Sequence, residues 1–356
     1  MGARAELVYV LAIGAVFVIW RDTLEAVRSP WFASEEGPSP ASTVPLDPAE
    51  NWPWYWDWNP LEPYEVHTAA DGPVWARNLT TIYPKPAKLV NLACGGATVD
   101  NDVVQNWNPP LDFKSQISAF QRWLTPPPER ARWHSYNSIF VIEFGTNDVI
   151  SSFHGTERTR RLNQTQEELH KDIMWRYFDF VERLYNLGAR AFAFHLLVPF
   201  DRARAGIDFG PELQAELRVG IQRYNAALRR AAHSYCTYKF EQTNGDIFCS
   251  VIDLCEYHLV FVCPPVESAE LFIDTLGDDI MDNPEVFGFK EPVDYCPAYA
   301  PRSNAEPDMD VDPSCIGPVG DYVWKDALHP SWTFHQYWAQ HFYLQTLGDL
   351  SRLHPD

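Results

Sequence analysis

The sequence predicts an α/β fold of three layers, with helices on both faces of a parallel central sheet. Three observations carry this. Short apolar runs alternate with longer stretches in which apolar residues recur at helical spacing, the pattern of strands joined by crossover helices. The runs end in turn residues: Gly95-Gly96, Gly145-Thr146-Asn147 and Pro199. An apolar share of 46% and an aromatic share of 14% over 356 residues supply a large core, which excludes a disordered chain.

The elements follow in order. Leu7 to Trp20 is unbroken apolar sequence, shorter than the about 20 residues a membrane span needs. Arg4 before it fits a secretory leader. Glu6, and the lack of a small-x-small cleavage site after Trp20, fit a buried first strand at Val16–Ile19 instead. Residues 1–20 are therefore read as leader, first strand or anchor. Residues 21–71 are irregular, and 28–66 are rich in Pro, Trp and Glu. Trp52, Trp54, Trp56 and Trp58 alternate there, suited either to stacking on sugar rings or to folding onto the domain.

Residues 72–350 form the regular domain. Strands are expected at Lys88–Ala93, Ser138–Phe144, Ala191–Val198 and Tyr235–Phe240. Thr165 and Glu168 form a capping box, after which Leu169, Ile173, Tyr177, Val181 and Leu184 recur at helical spacing up to Gly188. Leu213, Leu217, Ile221, Tyr224 and Leu228 make a second stripe, and Phe334, Trp338 and Phe342 a third over 332–350. Both glycine-bearing segments directly follow expected strands, which places them at the C-terminal rim of the sheet, where such folds bind ligands.

Charge and cysteine usage narrow the function. A formal charge of -20 argues against nucleic-acid binding and against docking on anionic membranes. Seven cysteines leave at least one unpaired within a monomer. Cys296 and Cys315 bracket a polar loop, and a disulfide between them would brace the segment after it. Cys249, Cys255, His258 and Cys263 crowd an apolar insert at about 249–265, but the spacing lacks the paired Cys-x-x-Cys of a structural zinc site. No metal or cofactor is expected. Asn78-Leu79-Thr80 and Asn163-Gln164-Thr165 are glycosylation sequons, which add a little weight to secretion.

Acyl transfer needs a nucleophile, a base, a group that orients the base, and donors for the developing oxyanion. In Asp326-Ala327-Leu328-His329-Pro330, His329 is the candidate base and Asp326 its orienting carboxylate; alternatively Asp326 or Ser331 caps the following helix. Gly96 offers a backbone N–H that no side chain screens, and Asn147 a side-chain donor at a strand end.

In this order the segments resemble the GDSL, or SGNH, hydrolase family, most closely its fungal secreted branch, which is similar to acetylesterases acting on plant cell-wall carbohydrate. Asn91-Leu92-Ala93-Cys94-Gly95-Gly96-Ala97-Thr98 resembles the second block, Gly145-Thr146-Asn147-Asp148 the third and Asp326–Pro330 the fifth. The resemblance covers roughly residues 72–345. It implies a triad built on Asp326 and His329, with Gly96 and Asn147 as oxyanion donors. It also implies a secreted monomer acting on a small acyl ester or acetylated carbohydrate without stable membrane association.

The first block departs. Nothing reads Gly-Asp-Ser; the nearest stand-in is Val16–Ile19 followed by Trp20-Arg21-Asp22-Thr23. Threonine's extra methyl group crowds attack, and Arg21 removes a permissive glycine. Three accounts stay open: a gene model that misses the first block, an inactive relative, or a nucleophile supplied by Thr23, Ser29 or Ser34; the alternative function is a non-catalytic carbohydrate-binding relative that uses the open rim and Trp52 to Trp58.

Overall fold

In the computed structural model the described residues are 15–20, 68–82, 88–105, 112–129, 131–135, 137–154, 157–252 and 276–353, with the backbone alone at 15–20 and 347–353. The strands are β1 Ala15–Trp20, β2 Lys88–Asn91, β3 Ser138–Glu143, β4 Ala191–His195 and β5 Phe248–Ile252. The helices are α1 Trp75–Ile82, α2 Phe113–Leu124, α3 Thr146–Ile150, α4 Glu157–Leu162, α5 Gln166–Asn186, α6 Arg204–Asp208, α7 Pro211–Gln242, α8 Leu276–Asp282 and α9 Trp332–Leu353.

The sheet order is β2-β1-β3-β4-β5. Pairing of β3 with β4 and of β4 with β5 is parallel, in register Ile142↔Phe194 and Phe194↔Val251. Alternate residues then face opposite layers. Phe140 and Phe194 meet the α2 and α5 side, where Phe120 lies 5.3 Å from Phe140 and Phe178 lies 5.4 Å from Phe194, centroid to centroid. Glu143 and His195 face the α1 and α9 side, where Trp75 donates to Glu143 and Phe342 stacks 5.5 Å from His195. The three layers expected from the alternation are present.

The sheet is not wholly parallel. β1 pairs antiparallel with both neighbours, Ala15 opposite Glu143 and Trp20 opposite Ser138 and Lys88. The strand reading of Val16–Ile19 is thus realised with a direction that no local pattern encodes, because antiparallel and parallel partners ask for the same apolar run.

The α5 capping box forms in full: Thr165 N–H donates to Glu168 Oε2 at 2.7 Å and Glu168 N–H donates to Thr165 Oγ1 at 3.2 Å. Its whole apolar stripe is buried. The strand expected at Tyr235–Phe240 is instead the end of α7. Tyr235 and Lys239, one helical turn apart, both bond Glu182 of α5, at 2.8 and 2.7 Å, while Tyr238 and Phe240 point to solvent. Tertiary anchoring on one face overrides a β-prone composition. The fifth strand lies just beyond, and Cys249 belongs to it, bonded to Cys236 of α7. Cys255, His258 and Cys263 lie outside the described residues, as do Trp52 to Trp58.

Candidate active site

Two loops at the C-terminal edge of the sheet are tied to each other. After β2 the chain turns at Gly96, which adopts φ +81°, a conformation glycine takes without steric cost. After β3 it turns at Gly145, φ +127°, where a Cβ would collide with the ring of Tyr224. The Tyr224 hydroxyl donates to Phe144 O at 2.9 Å, so the glycine lets α7 close over the end of β3.

From there Asn147 Nδ2 donates to Ala97 O at 3.0 Å, and Val99 N–H donates to both oxygens of Asp148 at 3.1 and 3.2 Å. The Gly96 turn is therefore clamped on the start of α3, and the two oxyanion candidates are held as one unit. Asp148 is buried and lies near Asp100 and Asp112. Burial pushes its carboxyl up to about 7, with the Val99 N–H pulling the other way. No local pattern marks Asp148 for this role; its place beside Asn147 is the available signal.

A second unit carries the acid–histidine pair. Lys325 N–H donates to His329 O at 2.8 Å and Ser331 N–H to Val323 O at 2.9 Å, closing a tight turn over residues 323–331. Within it Asp326 Oδ1 accepts the backbone N–H groups of Leu328 and His329, each at 2.9 Å. The His329 ring meets the same carboxylate through Nδ1, 2.9 Å from Oδ1 and 2.8 Å from Oδ2. Burial opposes ionisation of Asp326, but the hydrogen bond and charge of His329 and the two backbone donors outweigh it and hold the carboxyl at about 2. Asp326 is thus an anion aimed at Nδ1, which leaves the buried Nε2 as the proton-accepting atom.

The helix-cap alternative does not hold for Asp326. Helix α9 starts at Trp332, and Ser331, at its entry, donates its hydroxyl to Tyr322 O at 2.6 Å. Ala205 N–H, in α6 beyond the C-terminal end of β4, donates to Ala327 O at 2.8 Å, which ties this turn to the segment that follows β4.

Behind the pair, the Cys296–Cys315 disulfide expected from the sequence is formed. Lys325, also without a role in the sequence reading, reaches from the turn into that loop, its Nζ donating to Ala300 O at 2.7 Å. On the α1 and α9 side lies a buried polar group. Trp75 Nε1 donates to Glu143 at 3.2 Å, and Trp338 Nε1 donates to His195 Nδ1 at 3.3 Å. Burial raises the Glu143 carboxyl to about 8.

Thr23, Ser29 and Ser34 lie outside the described residues. The strand that leads toward them departs from the first block it was read as. Trp20, its last residue, pairs with Lys88 and Ser138 at the edge opposite Gly96 and Asn147, so β1 does not run toward the rim. Among the described residues no cluster of three or more His, Cys, Asp or Glu is arranged to hold a metal ion.

Known proteins are similar to this chain in sequence. Residues 65–342 fit the family model described as GDSL-like Lipase/Acylhydrolase. An acetylesterase of Thermothelomyces thermophilus is 29% identical over 198 residues, 55% of this chain and 61% of that protein. A GDSL esterase/lipase of Arabidopsis thaliana is 22% identical over 255 residues, 68% of this chain and 63% of that one. An acetylxylan esterase / glucomannan deacetylase of Cellvibrio japonicus is 32% identical over 90 residues, 25% of this chain and 24% of that one. The chain spans less than two thirds of the length of the first two of these relatives.

Proposed function

The chain belongs to the GDSL-like lipase/acylhydrolase family, and on that premise we propose that it hydrolyses small acyl esters, acetyl groups on carbohydrate foremost. The observation that carries the reading is the pair itself, an ionised Asp326 2.8 Å from Nδ1 of a buried His329. His329 Nε2 takes the proton of a hydroxyl nucleophile as it attacks the ester carbonyl. Gly96 N–H and the Asn147 amide donate to the oxyanion. The imidazolium, stabilised by Asp326, protonates the departing alcohol, and water then repeats the sequence on the acyl-enzyme. Thr23, Ser29 and Ser34 are the hydroxyls the sequence offers as nucleophile. The acetyl and carbohydrate parts rest on the acetylesterase and acetylxylan esterase relatives. Two disulfides support a secreted protein, and we propose that it works as a monomer.

The second reading, a non-catalytic carbohydrate binder, is favoured by one observation, the direction of β1 away from the rim. Acetate release from nitrophenyl acetate and acetylated xylan separates the two. The esterase reading expects turnover that falls about 10³-fold or more in His329→Ala. No turnover in the unaltered protein, with measurable retention on polysaccharide, would overturn it.

A further inference from the structure

Lys325 is 4% exposed, and its amine makes two contacts: 2.7 Å to Ala300 O and 3.4 Å to Asp326 Oδ2. That Oδ2 is the oxygen lying 2.8 Å from His329 Nδ1. A cation and an imidazole therefore share one carboxylate oxygen in a site almost closed to water, where screening is weak. A buried ammonium is expensive to place, and an apolar side chain would fill the same position without that penalty. Among the described residues, the titratable groups recorded at the pair are Lys325, Asp326 and His329 in the turn, and His335 from α9, whose value burial and the nearby His329 lower to about 3, leaving it uncharged.

We propose that Lys325 is a positioning residue of the acid–histidine pair: it anchors Asp326 to the disulfide-closed loop and moves the working range of His329 to lower pH. The ammonium offsets part of the carboxylate charge that would otherwise stabilise the imidazolium. A proton taken up at Nε2 is then held less tightly and passed on more readily to the leaving alcohol. The inference deepens the esterase reading and rests on it for its catalytic meaning, whereas the coupling among the three side chains is measurable without turnover.

The test compares the unaltered protein with Lys325→Gln and Lys325→Arg, with Lys325→Met in place of the glutamine variant should that one not fold. Two readouts are used: the pH profile of kcat/KM on nitrophenyl acetate, and the titration of the His329 ring followed by NMR, assigned with His329→Ala. Removing the charge is expected to move both the acid limb and the ring titration to higher pH by about one unit, the scale of one charge a few Å away in a half-screened site. At acidic pH this reads as an activity loss of roughly tenfold that closes toward pH 8. Lys325→Arg is expected to restore both. A uniform loss at every pH with an unmoved titration would make Lys325 a structural anchor only and overturn the proposal. Absence of turnover in the unaltered protein refutes the esterase reading alone; the ring titration still decides the role of Lys325.

Discussion

Glu143 is a carboxyl set into the core at the end of β3, 5% exposed, with Trp75 Nε1 as its hydrogen-bond donor. Burial moves its folded-state value from the ordinary 4.5 to about 8. The folded protein therefore holds a proton that the unfolded chain releases once the pH passes 4.5. Stability from this group is fully present below that point and is lost as pH rises through about 8. Three and a half units correspond to an upper limit of roughly 5 kcal/mol, and relaxation of the site brings the expected figure to about 2–4 kcal/mol. In Glu143→Gln the amide oxygen can still accept from Trp75, and no proton is at stake. The variant should match the unaltered protein near pH 4.5 and exceed it by that amount near pH 9. Denaturant unfolding of both proteins across this range gives the difference, in which the contributions of Asp148 and the buried histidines cancel. A stability difference that stays constant with pH would refute the assignment of a protonated Glu143.

Further expectations concern the loops. Asp148→Ala leaves the Val99 N–H unpaired and frees the Gly96 turn, so kcat/KM should fall about tenfold or more, while Asp148→Asn, which keeps an acceptor, should lose less; equal losses would contradict the clamp. Gly145→Ala combines a forbidden φ with a collision at Tyr224 and should lower stability by about 2 kcal/mol or more in urea unfolding. Replacing Cys296 and Cys315 by serine removes a 19-residue closure and should cost about 3 kcal/mol. Because Ala300 lies in that loop, the same change should also weaken the Lys325 contact, read as a shifted pH profile.

What was legible in the sequence was mostly local. The α5 capping box and stripe sit within one helix, where spacing alone decides which residues meet. Asp326 and His329 are three residues apart, so a single turn joins them whatever the rest of the chain does. Gly96 and Asn147 lie far apart in sequence and were legible only through the order of the motifs. Tyr235–Phe240 was misread because the deciding contacts, to Glu182, come from another helix. Glu143 with Trp75 and Lys325 with Ala300 join positions that no period links.

The direction of β1 bears on more than the sheet. The acid–histidine turn is closed by its own backbone hydrogen bonds, by the contact of Ala327 with Ala205, and by Lys325 reaching to the disulfide loop. The oxyanion unit is closed by Asn147 and Asp148 on the segment after Gly96. None of these contacts passes through β1 or the residues after it. The acid–histidine pair is therefore held by its own turn and by the loop behind it, and a change of nucleophile should leave the pair in place, whereas β1 lies between β2 and β3, the strands that lead to Gly96 and Asn147. A protein without turnover should still show a coupled Asp326–His329 pair by NMR, and an active one should owe its nucleophile to a hydroxyl outside these two units. Thr23→Ala, Ser29→Ala and Ser34→Ala, assayed against His329→Ala, test this. The reasoning fails if activity instead follows Ser152 or Ser331, whose hydroxyls are spent on backbone carbonyls.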